Sequence, residues 1–344
     1  MELSLLDLAP IPDGGTATEA FERTVERARH AEELGFSRIW VAEHHDFPNR
    51  VASTTPEVLI PHVAAHTDEM RVGSGTVLLN HYSPYKVAET FSVLDALAPG
   101  RVDLGLGRAT GNPIRDRALE GGLDERQRAA GRDHRDKIDE VVSHLHDGFP
   151  ADHPYSDLTL PRSRESVPDI WVHGSSPTSA EVAGDLGLRY CFAAFIRPQW
   201  AADALRTYRD HFEPSPVGAG PDEPRAMVAA NVTCAPTDEE AARLRATTEA
   251  TRRRLRTGRL HGPPIHSVED AIDELGYVPE PTEAPDEPGG WPRAVSGSPE
   301  TLRELLGEMT DDLGADGVVV QNSFADFEHE LRSHELLAEA FDLG

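Results

Sequence analysis

Lysine is almost missing from this 344-residue chain: Lys86 and Lys137 stand alone, and the other basic residues are arginines. Cysteine is equally scarce. Cys191 and Cys234 each lie in an apolar run, so there is neither a disulfide framework nor a Cys/His zinc spacing. No apolar run approaches the length of a membrane span. The opening stretch, residues 3–11, is short and broken by Asp7, with no basic residue before it. That argues against a targeting or membrane segment and for a soluble cytoplasmic protein. Positive charge is in deficit, with 33 Lys and Arg against 60 Asp and Glu and a formal net charge of −27. Such a balance repels nucleic acid and anionic membrane. The acid is dispersed along the chain rather than held in one tail. With so few lysines, this acidic surface is the habit of proteins from a high-salt cytoplasm, and a halophilic host is the expectation.

What is present is a repeated alternation of apolar strands and amphipathic helices. Residues 3–8 form a first strand, closed by Pro10 and Pro12, with Thr16 or Thr18 placed to cap the next helix. Phe21, Val25, Ala28, Ala31 and Leu34 recur at helical spacing, and Gly35 stops that helix. Residues 38–42, 70–79 and 101–107 read as the next three strands. Helices opened by Pro56 and Pro84 lie between them, and a polar helix over 124–145 follows. Residues 148–167 are a Pro- and charge-rich surface excursion. Strands then fall at 169–173, 188–195, 226–235 and 317–321, each followed by a helix. Residues 258–295 interrupt the rhythm with many Pro, Gly and acidic residues and a weak helix at 268–275; they read as a long excursion, either a lid or a loose loop. Ser298, Pro299 and Glu300 supply a cap, a first-turn proline and a first-turn acid for the helix that precedes the last strand. Eight strand–helix units in strict alternation predict one α/β domain over residues 1–344. The expected fold is a (β/α)8 TIM barrel with an insertion between strand seven and the last helix–strand unit.

In such a barrel the site lies at the C-terminal ends of the strands. Strand two ends in Glu43-His44-His45. Adjacent strand residues point to opposite faces, so His44 and His45 are expected to differ in role. Strand three, with Gly73 and Gly75 inside it, ends near Asn80 and His81. Strand four ends in Arg108 after Gly105 and Gly107. Glycines inside strands suggest close approach by a ligand or another backbone, and four of them on two neighbouring strands suit a flat ring. Strand five, carrying His173, ends in Gly174, Ser175 and Ser176, with Thr178 at the mouth of a helix. Hydroxyls, a helix start and the Arg108 guanidinium fit either a phosphate cradle or, without the arginine, an ordinary serine/threonine helix cap. Helical histidines such as His30, His66 and His134 read as solvated faces.

Several strings in order resemble the bacterial luciferase-like flavin monooxygenase family over nearly the whole chain. They are WVAEHH at 40–45, RVGSGTVLL at 71–79, GRVDLGLGRATG at 100–111, VHGSSPTSAEVAGDLG at 172–187, SPETLRELL at 298–306 and RSHELLAEAF at 332–341. The resemblance implies a barrel that binds reduced FMN supplied by a separate flavin reductase. It also implies oxygenation of a small organic substrate with O2 through a 4a-hydroperoxyflavin. His44 matches the catalytic histidine, and Glu43 matches an adjoining acid that would orient its ring. Arg108, Gly174, Ser175, Ser176 and Thr178 match the phosphate-binding set. Gly73, Ser74, Gly75 and Thr76 match a cofactor-binding segment that often holds a non-prolyl cis peptide under the flavin ring. Relatives often pair through helices near strands two and three, so a homodimer or larger homo-oligomer is expected.

The chain also departs from the pattern. Gly107 stands where the light-emitting enzymes have a reactive cysteine. Residues 194–197 (AFIR) stand where close relatives tend to carry a Ser-His pair, and Pro177 interrupts the phosphate loop. Three other readings remain open: a hydride-transferring enzyme of the same fold using a deazaflavin coenzyme, a non-catalytic flavin-binding protein, and a metal-dependent hydrolase using Glu43, His44, His81 and His173. No strand shows a His-x-His pair and the Glu-His-His run is not ligand spacing for one ion, so no metal site is expected.

Overall fold

The computed structural model of the protein describes residues 1–12, 14–45, 50–108, 113–120, 133–163, 165–257, 265–285, 290–322 and 324–344. Its strands are β1 (Glu2–Asp7), β2 (Arg38–Val41), β3 (Arg71–Ser74), β4 (Val77–Leu78), β5 (Val102–Gly107), β6 (Asp169–Gly174), β7 (Arg189–Ala193), β8 (Ala226–Cys234), β9 (Ala294–Gly297) and β10 (Gly317–Gln321). All pairings are parallel. Because β10 pairs with both β1 and β8, with Val318 opposite Leu3 on one side and Val228 on the other, the sheet closes on itself. Eight walls result, the third made of β3 and β4 in succession. This is the expected (β/α)8 barrel.

The helices are α1 (Ala17–Glu33), α2 (Pro56–Ala64), α3 (Pro84–Leu97), α4 (Pro113–Leu119), α5 (His134–Leu145), α6 (Pro177–Asp185), α7 (Ala201–Asp210), α8 (Asp238–Thr257), α9 (Val268–Leu275), α10 (Pro299–Leu313) and α11 (Phe327–Ala340). Local sequence explains their ends. Thr16 caps α1 through a reciprocal box with Glu19, satisfying two otherwise orphaned N–H groups. Ser298 caps α10 by accepting from Thr301 N, and Gly314 ends that helix in the left-handed region. None of the described helices is long and apolar enough to cross a membrane.

Ile39, Val72, Leu104 and Ile170 are buried between the barrel wall and the helices, where they form the main core. Inside the barrel a smaller cluster of Trp40, Trp171, Cys191, Met227, Ala229 and Val319 fills the middle. The two indoles meet edge to face, ring centroids 5.1 Å apart. Below this layer lies a floor of alternating charge. It runs from Arg225 to Glu2 (2.7 Å), Arg38 (2.5 Å), Asp103 (2.9 Å), Arg71 (2.6 Å), Asp169 (2.8 Å) and Arg189 (3.1 Å). Asp103, with no exposed surface, also accepts from Trp40 Nε1 at 2.9 Å. Burying an unpaired carboxylate there would be costly, and the arginines are what make it tenable.

Two elements differ from expectation. The short helix α4 has no signal in the apolar spacing. β9, at the end of the 258–295 excursion, extends the sheet by pairing with the last residues of β8, Asn231 opposite Ala294. The described parts of that excursion are fastened to α8 by Arg252–Glu283 (2.6 Å), Arg254–Glu274 and a bond from Arg245 Nε to Glu280 O at 3.0 Å. The helix expected at 268–275 is α9. Residues 124–132 of the polar helix, and 258–264 and 286–289 of the excursion, lie outside the described residues.

Candidate active site

The rim at the C-terminal ends of the strands is assembled from β2 outward. Past Val41 the chain leaves the sheet and is held by the segment across from it. His44 N donates to Ser53 O at 2.9 Å, and Ser53 Oγ donates to Ala42 O. Residues 50–53 are in turn braced by the loop after β1, with Ile11 N donating to Arg50 O and Ala52 N to Ala9 O, both at 2.9 Å. This brace fixes the backbone of the Glu-His-His run.

Glu43 is buried and is the hub of the rim. Its Oε2 accepts from Leu78 N at 2.8 Å. Its Oε1 accepts from Tyr82 OH at 2.7 Å and lies 2.6 Å from His45 Nε2. The carboxylate therefore supports His45, not His44 as adjacency suggested. Burial, and then the bond to Glu43, push the Tyr82 hydroxyl pKa well up.

His44 is accessible at the mouth yet crowded by protein on several sides. Desolvation lowers its pKa first, with His45 and Arg115 adding to the shift and Glu43 opposing it. It is thus set up as a neutral ring that can take a proton. Arg115 belongs to α4, which lies over this part of the rim and donates from Nη1 to His45 O at 3.3 Å. The same helix brings Asp116 to 3.8 Å of the buried His81 ring, and Glu120, just past its end, comes to 3.4 Å.

The segment 73–76 divides. Gly75 and Thr76 reach the partly exposed rim and are joined by a cis peptide bond, whereas Gly73 and Ser74 are buried in the wall. Ser74 Oγ is engaged with Gly105, donating to its carbonyl and accepting from its N–H, both at 3.0 Å. The glycines do not open space for a ring as expected. A Cβ at Gly73 would lie 2.3 Å from Asp103 O, and one at Gly105 would lie 2.0 Å from Ser74 O. These strands need glycine to approach each other. A Cβ at Gly107 would lie 2.4 Å from Thr76 Oγ1, so Thr76 fills the room that a cysteine there would take.

Gly174 ends β6 with the Ser179 hydroxyl where its Cβ would be. Ser176 caps α6, its Oγ accepting from Ser179 N at 3.4 Å, while Ser175 is partly exposed and Thr178 exposed. β5 and β6 pair with Leu106 opposite Val172, so Arg108 and Gly174, each two residues on, leave the sheet side by side. Arg108 is exposed and meets no carboxylate among the described residues. Its charge is felt by His134 at the start of α5. Burial first and Arg108 second lower the His134 pKa to about 4. His134 Nδ1 is 3.0 Å from Asn80 Oδ1, so this histidine belongs to the rim and not to a solvated face.

Inside the mouth, His173 lies 4.6 Å from the Trp40 ring, centroid to centroid, with Nε2 buried and unpartnered among the described residues. Burial holds its pKa down at about 3, so it is neutral at working pH. The one grouping of potential metal ligands among the described residues is Glu181, Asp185 and His211. It sits on the helical exterior, and Arg135 already pairs with Asp185 at 2.6 Å. Tyr82, Arg115 and His134 are rim residues that sequence reasoning missed. Tyr82 adjoins His81 and could have been found from that neighbourhood; Arg115 and His134 carry no local signal.

The family model for luciferase-like monooxygenases matches residues 1–317. The luciferase-like monooxygenase of Escherichia coli (strain K12) is 35% identical, the match covering 97% of this chain and 95% of that one. The N-acetyl-S-alkylcysteine monooxygenase of Bacillus subtilis (strain 168) is 33% identical, covering 99% and 98%. The crystal structure of apo-MsnO8 superimposes with a TM-score of 0.85 at 38% identity, over 100% of this chain and 99% of that chain. With its closed barrel, its rim of Glu43, His44 and Arg108, and similarity running the length of the chain, this protein belongs to the luciferase-like monooxygenase family.

Proposed function

We propose that this chain is the oxygenase of a flavin-dependent monooxygenase that takes reduced FMN from a separate flavin reductase and uses O2 to oxygenate a small organic substrate. The observation that carries the reading is Arg108, a guanidinium with no carboxylate partner among the described residues of a chain bearing 60 acids. It leaves the sheet beside Gly174, next to the start of α6 and the hydroxyls of Ser175 and Thr178. A guanidinium with no carboxylate partner among the described residues, hydroxyls and a helix N-terminus fit a terminal phosphate. Ser176 contributes by capping the helix that points at it.

Bound there, reduced FMN supplies the electrons that let one atom of O2 enter the substrate while the other leaves as water. The chain's own residues orient and move protons. His44, neutral through desolvation, is the proton acceptor and donor at the mouth. Glu43 acts through others, holding His45, Tyr82 and the backbone of Leu78 in place. Gly75 and Thr76 form the ledge on the flavin side, while Gly73 and Ser74 support that ledge from within the wall. The relative named for N-acetyl-S-alkylcysteine supports a small organic molecule as substrate. Pairing of two copies through α2 and α3 is supported by the exposed Val58, Val93 and Leu97 on those helices.

The deciding experiment titrates the purified protein with reduced FMN, oxidised FMN and a deazaflavin coenzyme side by side, read by fluorescence under anaerobic conditions. Tighter binding of reduced FMN, and substrate-dependent O2 uptake once a reductase is added, is the expected result. Tight deazaflavin binding with none of FMN would make the chain a hydride-transfer enzyme instead.

A further inference from the structure

The turn after β7, residues 194–197 (AFIR), has a geometry with a chemical meaning of its own. The turn is rigid. Ile196 N and Arg197 N both donate to Ala193 O, at 3.1 and 3.4 Å, and Phe195 N donates to Ala229 O of β8 at 3.2 Å. Pro198 then opens a short 3-10 turn, and Trp200 N returns to Arg197 O at 3.2 Å. Phe195 packs on the cluster of Trp40, Trp171 and Met227 inside the barrel, so the turn borders the mouth.

Arg197 extends from this turn with its Cζ 4.8 Å from the centre of the Trp200 ring. Stacking orients a guanidinium and leaves its edge, with the N–H fork, free for a planar anion. No carboxylate fills that role: among the described residues Arg197 has no ion pair, although most arginines of this acidic chain have one. Ile196 is 53% and Trp200 37% exposed, so the cation sits beside accessible apolar surface at the rim. Gln199, on the same turn, keeps Oε1 buried without a donor among the described residues.

Resting on the reading of this rim as a monooxygenase site, we propose that Arg197, stacked on Trp200, binds the carboxylate of an anionic substrate whose hydrocarbon part lies against Ile196 and Trp200. A protein with a net charge of −27 repels small anions in general. An oriented guanidinium at the mouth, without an ion pair among the described residues, is the local feature that reverses this. Arg108 at the end of β5 and Arg197 after β7 then have separate duties, one for the cofactor phosphate and one for the substrate.

The test is ligand-observed NMR on the full chain with matched probes: hexanoate, hexanesulfonate and hexanamide. Wild type is expected to bind hexanoate about tenfold more tightly than hexanamide, the worth of one charge-assisted contact in a partly exposed site. R197Q abolishes the preference, R197K keeps part of it, and R108Q keeps all of it. Preference for the sulfonate over the carboxylate would move the substrate class to sulfonates and overturn the carboxylate assignment. No discrimination in wild type, or discrimination that survives in R197Q, overturns the role of Arg197. FMN affinity is measured on the same proteins. Failure of wild type to bind FMN sinks the monooxygenase reading and leaves the carboxylate result to stand or fall by itself.

Discussion

The two ends of this barrel treat charge in opposite ways. At the N-terminal floor, Asp103 faces Arg38 and Arg71, and the pairing continues through Glu2 and Asp169 to Arg225 and Arg189 without a break. Among the described residues of the C-terminal rim, Arg108 and Arg197 meet no carboxylate, and His173 Nε2 and Gln321 Oε1 are buried without partners. A saturated network holds a shape and has nothing left to offer a ligand. Groups without partners cost stability and are available for binding. The contrast says that substitutions at the floor should unfold the protein, while substitutions at the rim should disable it.

The largest effect is expected at His44. H44N should lower substrate oxygenation, assayed with saturating reduced FMN, by about 10²- to 10⁴-fold with little change in melting temperature, as loss of a general acid–base group does. An equal loss in H45N with none in H44N would transfer the proton-handling role to the Glu43–His45 pair. At the floor, D103N should cost about 3–5 kcal/mol in a denaturant titration, because it leaves the buried Arg38 and the half-buried Arg71 beside a neutral amide. FMN affinity of the folded fraction should not move; if it falls while stability holds, the division between floor and rim is wrong. R108Q should weaken FMN by about 10- to 100-fold, the worth of one or two charge-assisted hydrogen bonds, and leave stability within ~0.5 kcal/mol of wild type.

The smallest effect is a pH slope. The pKa of His173 is about 3 and that of His134 about 4, both below the usual 6.5, because burial disfavours the charged ring. The unfolded chain therefore binds protons that the folded chain does not. The stability these neutral rings confer is complete above pH ~6.5 and is lost as pH falls toward their folded values. H173Q should reduce the slope of stability against pH between pH 6 and 4 by about one proton, or ~1.4 kcal/mol per pH unit. An unchanged slope would mean that His173 is protonated in the folded protein.

Much of the architecture was legible in the chain. Pro56, Pro84 and Pro299 at helix starts, the Thr16 and Ser298 caps, and the apolar runs of the strands are local signals, and each stands where its element begins or lies. The strand ends that form the rim followed from the barrel. Less legible was who touches whom. Glu43 was readable as a support but attached to the wrong histidine. Gly73 and Gly105 marked a close approach, yet spacing cannot say whether a ligand or the next strand does the approaching; here it is Asp103 and Ser74. α4 carries no apolar stripe, so Arg115 and Asp116 arrived at the rim unannounced.

The order of strands and helices, and with it the barrel, was determined by the sequence alone, because caps, breakers and the periods of apolar residues act over a few neighbouring positions. The sequence also determined the acidic balance and the absence of a reactive thiol at position 107. Which charges find partners was decided only by the tertiary structure. Glu2 pairs with Arg225, and Arg27 bonds Glu330 at 2.6 Å, partners 223 and 303 positions apart in the chain. An arginine's sequence neighbourhood cannot tell an arginine in a floor ion pair from one that points to the rim. Closing the barrel can, because it sets the charges at the N-terminal floor against opposite charges from neighbouring strands and leaves the other end open.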